Sequence, residues 1–66
     1  MDERKYLVKG YKHGGLLYMA ATSDPGKALE WAKDRVALGY SIRIINRETD
    51  SALEFASSND EIRLPE

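Results

Sequence analysis

One helix-forming segment, SDPGKALEWAKDRVALGY (residues 23–40), stands alone between two pairs of short strand-forming runs, and this constrains the chain more than any other feature. A single helix can cover one face of a sheet and no more. The segment carries its own start and stop signals. Asp24 is placed as an N-cap, where a carboxylate accepts from the free amides of the first turn. Pro25 follows at the first helical position, where its missing N–H is not needed. Ala28, Leu29, Ala32, Val36 and Leu38 recur at helical spacing, with Trp31 at the edge of that stripe. Lys27, Glu30, Lys33 and Asp34 occupy the other side, and Gly39 supplies a C-terminal stop.

Before the helix, KYLVKGYK (5–12) and LLYMAAT (16–22) read as strands rich in aromatic and branched residues. His13-Gly14 or Gly14-Gly15 supplies the tight turn between them, since a two-residue hairpin loop needs positive φ. After the helix, YSIRIINR (40–47) alternates as a third strand, ETDS turns the chain, and ALEFA (52–56) is a short fourth strand. The order ββαββ predicts a two-layer α+β domain over residues 1–56, one helix packed on a mainly antiparallel four-stranded sheet. Strand order 2-1-3-4 is preferred because it gives the helical connection its usual right hand, with strand 3 beside strand 2 as the alternative. Residues 57–66 read as a polar, acidic, flexible C-terminal tail in which Ile62 and Leu64 could still dock.

Composition narrows the function. At 66 residues the chain is one domain, and a domain of about 60 residues buries only about 60% of its unfolded surface. With no cysteine and a single histidine, a structural zinc site has no ligand set. Good internal packing, or burial against another chain, is then the expected source of stability. Ten Lys and Arg against eleven Asp and Glu leave a net charge of −1, which favours neither a nucleic-acid-coating protein nor an acidic mimic. The longest apolar run, LLYMAA, is too short to span a membrane. The opening MDERK mixes acid and base, unlike a transit peptide, and a cytoplasmic protein is the expectation.

Catalytic signals fail on inspection. His13 at a hairpin tip has no oriented partner, and the HGG around it lacks the GxSxG nucleophile elbow that esterase loops require. PGKA resembles the end of a phosphate loop, but Ala21 and Ala28 stand where Gly and Ser or Thr are needed. Glu30 and Asp34 lie one turn apart on a solvated helix face, which does not make a metal site. No catalytic, cofactor or metal residue is expected.

The sheet face away from the helix is more informative. In either two-residue register of the first hairpin, strand alternation places Tyr6, Val8, Leu17, Met19 and Ala21, with Ile42, Ile44, Leu53 and Phe55, under the helix. It leaves Leu7, Lys9, Tyr11, Leu16, Tyr18, Arg43, Ile45 and Arg47 on the open face, joined by Lys5 and Ala20, with Glu54 the one acid there. Those eight are the expected partner-binding residues, and a mixed apolar and basic face of this size marks a contact site. The sequence therefore points to a non-enzymatic interaction module whose partner is a second copy or another protein. The alternative is single-stranded nucleic acid, with bases stacked on Tyr11 and Tyr18 and phosphates on Lys9, Arg43 and Arg47.

Overall fold

The computed structural model describes residues 4–56 and 61–66. Its elements are β1 (Tyr6–Lys12), β2 (Gly15–Thr22), α1 (Pro25–Ala37), β3 (Ser41–Asn46) and β4 (Ser51–Phe55). The strands form a single antiparallel sheet in the order β2-β1-β3-β4. With α1 on one face, this is the expected ββαββ, α+β architecture, and the preferred strand order holds.

The core lies between α1 and one face of the sheet. Tyr6 and Val8 of β1, Ile42 and Ile44 of β3 and Phe55 of β4 meet Ala28, Ala32 and Val36 of the helix. The helical contributions are small, which lets the helix axis approach the sheet closely. Val8, Ile42 and Ile44 are the largest fully buried side chains, each worth about 1.5–3 kcal/mol relative to exposure. Trp31 and Leu53 pack at the margin of this cluster.

Both helix ends are built from the signals in the sequence. Asp24 Oδ1 accepts from the amides of Gly26 at 2.8 Å and Lys27 at 3.4 Å. Thr22 Oγ1 in turn accepts from the Asp24 amide at 3.1 Å, which fixes the entry into the helix. At the other end, Gly39 takes a φ of 93°, a conformation that favours glycine. The Gly39 amide donates to Val36 O and the Tyr40 amide to Arg35 O, both at 3.0 Å, as in a Schellman motif. Leu38, expected among the buried helical residues, is instead the C-cap and 59% exposed. Two residues beyond Val36, its position falls outside the buried stripe of Ala28, Ala32 and Val36 at helical spacing.

The first hairpin differs from expectation in one consequential way. His13 and Gly14 form the turn, with φ values of 56° and 81°, as a two-residue hairpin loop requires. Lys12 then pairs with Gly15, and Tyr11 with Leu16. The next pair is Gly10 with Tyr18, so Leu17 is an extra residue in β2, a β-bulge. One inserted residue reverses which face every later side chain of that strand occupies.

The second hairpin turns on Asn46. Its Oδ1 accepts from the amides of Glu48 at 3.0 Å and Thr49 at 3.4 Å, an Asx-type turn. Of the segment expected to be a flexible tail, residues 57–60 lie outside the described residues. Over 61–66, Ile62 and Leu64 pack against the core cluster and Pro65 is buried. The Asn46 side chain donates Nδ2–H to Pro65 O at 3.2 Å. The physical reason is coverage. The helix packs chiefly on β1 and β3, and these residues add cover to the same core cluster, which Phe55 of β4 also joins.

Candidate protein interface on the open sheet face

Cross-strand partners share a face, so the register assigns the open side residue by residue. Leu7 faces Ala21 and Ile45, Lys9 faces Met19 and Arg43, and Tyr11 faces Leu16. On the helix side, Tyr6 faces Thr22 and Asn46, Val8 faces Ala20 and Ile44, and Gly10 faces Tyr18 and Ile42. Seven of the eight expected partner-binding residues thus fall on or beside the open face: Leu7, Lys9, Tyr11, Leu16, Arg43, Ile45 and, just beyond β3, Arg47.

Tyr18 does not. The bulge turns it to the helix side, where the Arg35 guanidinium stacks 4.0 Å from its ring centroid. Ala20 moves with it. Leu17, Met19 and Ala21, assigned from sequence to the core, are released from the helix side for the same reason. Leu17 is 61% exposed and Met19 60%, with Leu16 at 47%. Leu16 keeps its expected side because it precedes the bulge.

Gly10 was the available sign of this arrangement. A Cβ on Gly10 would lie 3.0 Å from Tyr18 Cβ and 3.1 Å from Tyr40 Cδ2. Glycine inside a strand marks either a bulge or a close approach, and here it marks both. Arg35 also reaches the Tyr40 ring at 5.8 Å, and Lys12 Nζ lies 5.3 Å from that ring while donating to Leu38 O at 3.2 Å. The tyrosines thus belong to a structural cluster that closes the helix C-terminus onto the first hairpin.

The open face divides across its width. At β2 it is apolar, and Gly15–Thr22 contains no charged residue. Across β1, β3 and β4 a charged row of Lys9, Arg43 and Glu54 lies beside an apolar one of Leu7, Ile45 and Ala52. Arg43 and Glu54 face one another directly, and Arg43 Nε donates to Glu54 Oε1 at 2.7 Å with Nη2 donating to the same oxygen. That bond and the charge of Glu54 raise the Arg43 guanidinium above its ordinary pKa. Lys5 and Glu48 form a longer pair at 3.8 Å. Both pairs are solvent-exposed and contribute little to folding. Their effect is to neutralise part of the basic character expected of this face.

A shallow depression of about 300 Å³ beside Tyr11, Arg43 and Glu54 ends this surface near β4. His13 is exposed at the hairpin tip, as a turn residue. Among the described residues, no helix is long and apolar enough to cross a membrane. Comparison with protein-family models, curated proteins and solved structures finds no significant match in any of the three.

Proposed function

We propose that this chain is a small non-enzymatic interaction module that self-associates through the open face of its sheet, at the apolar end formed by β2. The observation that carries this reading is the exposure of Leu16, Leu17 and Met19 together on one strand, with Leu7 and Ile45 on the neighbouring strands of the open face. Single exposed apolar residues are ordinary, but a contiguous group beside a charged rim fits an association surface. A small domain with no disulfide also gains stability from any partner that binds only its folded form.

The nucleic-acid alternative loses support from the register. Its two stacking tyrosines are separated, Tyr11 on the open face and Tyr18 beneath Arg35 on the other. One of its phosphate-binding candidates, Arg43, is engaged by Glu54. Sedimentation equilibrium over a wide concentration range tests the favoured reading. The parent chain is expected to run as a dimer, and a variant with Leu17→Lys and Met19→Lys as a folded monomer. A parent chain that stays monomeric throughout refutes it, as does a double variant that remains folded and dimeric.

A further inference from the structure

The geometry points to the outer edge of β2 as the seam where the second copy joins. We propose that β2 pairs antiparallel with β2 of that copy, extending the four-stranded sheet into a continuous one of eight strands. The proposal rests on the self-association reading above and names its geometry.

The two edges of this sheet are built differently. β4 is five residues long, carries Glu54 and presents only Ala52 beside it on the open face. Residues 63–66 line one surface depression together with Ser51, Ala52 and Leu53 of β4. Short length, charge and a neighbouring segment are the usual means by which an edge is kept from pairing. β2 is eight residues long, GLLYMAAT, with neither charge nor proline. Its bulge at Leu17 lies near the hairpin end and leaves Tyr18–Thr22 in regular register with β1. That run keeps its outer N–H and C=O groups available for another strand.

Side-chain exposure supports the same seam. Leu7 and Ile45 share the open face with Met19, yet each is only half-buried to intermediate in exposure because strands flank it on both sides. Met19 is flanked by Lys9 on one side alone and reaches 60%, while Leu17, the bulge residue with no partner on β1, reaches 61%. A strand added beyond β2 supplies the missing flank. It pairs backbone groups and covers apolar side chains in one contact, as in β-augmentation.

Charge selects the occupant. Two copies related by a two-fold axis place the same strand against itself. Because β2 carries no Asp, Glu, Lys, Arg or His, this contact sets no like charges opposite one another on the paired strands. A full face-to-face stack instead brings Lys9 and Arg47 of one copy toward the basic residues of the other, and neither has an ion pair among the described residues. The uncharged edge is the self-complementary part of the surface.

The chain has no cysteine, so single cysteines report the seam directly. Leu17→Cys, Met19→Cys, Ala20→Cys and Ala21→Cys sample β2, while Ile45→Cys and Ala52→Cys sample the open face away from it. Under mild oxidation, crosslinked dimer is expected only at one short run of β2 positions, because a disulfide needs Cβ atoms about 3.5–4.5 Å apart. Crosslinking at Ile45→Cys or Ala52→Cys instead overturns the edge seam and leaves self-association through the face intact. Hydrogen exchange on the unsubstituted chain gives a second readout. Amides of β2 are expected to exchange more slowly as dimer forms; a dimer mass without that slowing overturns the proposal. A monomer mass at all concentrations overturns both the seam and the self-association reading.

Discussion

Replacing Gly10 with alanine tests the bulge, on which the assignment of both sheet faces depends. The backbone of Gly10 is not in the left-handed region, since the positive-φ glycines among the described residues are Gly14 and Gly39. An added methyl therefore carries no conformational penalty, and its cost is contact alone. It would meet Tyr18 Cβ at 3.0 Å, Tyr40 Cδ2 at 3.1 Å and Ile42 Cδ1 at 3.4 Å. The Tyr40 ring can swing aside. Tyr18 Cβ cannot, because it is fixed to the backbone of the paired strand and no rotation about χ1 moves it. Overpacking of this kind costs about 1–3 kcal/mol. Loss of glycine's freedom in the unfolded chain offsets about 0.4–1 kcal/mol. The net expectation is a loss of about 1–2 kcal/mol. For a chain this small, with a urea m-value of about 1 kcal/mol/M, the unfolding midpoint falls by about 1–2 M. Urea titration followed by tryptophan fluorescence reads this through Trp31, at the margin of the core. A midpoint unchanged or raised would refute the reasoning. It would mean that Gly10 does not face Tyr18, as in an unbulged hairpin where Leu17 opposes Gly10.

Three further perturbations follow from particular contacts. Tyr18→Lys is expected to destabilise the fold, by removing the ring between Gly10 and Arg35, whereas Met19→Lys, compared at a concentration where both chains are monomeric, leaves the urea midpoint nearly unchanged; the opposite ranking would contradict the register. Asn46→Ala removes two turn bonds and the bond to Pro65 from a side chain only 3% exposed. The expected loss is about 2 kcal/mol, accompanied by faster proteolysis after Arg63 as the C-terminal residues lose their tie. Asp24→Ala removes the helix N-cap and is expected to cost about 1 kcal/mol, with Asp24→Asn recovering most of it in the same thermal melts.

What the sequence made legible and what it hid have separate physical causes. The helix, its cap at Asp24 and its stop at Gly39 were readable because each depends on residues within a few positions of one another. The strand order was readable because handedness leaves few ways to connect ββαββ. The faces of β1 and β3 followed from alternation, which holds wherever a strand is unbroken. Alternation failed in β2 because a single bulge residue reverses parity without changing composition. Leu17 and Met19, apolar enough for a core, were assigned to it, and Tyr18, suited to an exposed stacking surface, was placed outside. The signal that decides between these arrangements lies on another strand, at Gly10, whose missing side chain leaves room for Tyr18 and Tyr40. The roles of Asn46 and Pro65 were hidden because the Asn46 side chain bridges two segments distant in sequence, the β3–β4 turn and the C-terminal residues. The bulge therefore joins fold to function. By turning Tyr18 under Arg35 it closes the first hairpin against the helix, and by the same rotation it sets Leu17 and Met19 outside the core on the sheet's uncharged edge. A substitution that straightened β2 would have to undo both effects together, since one register produces them.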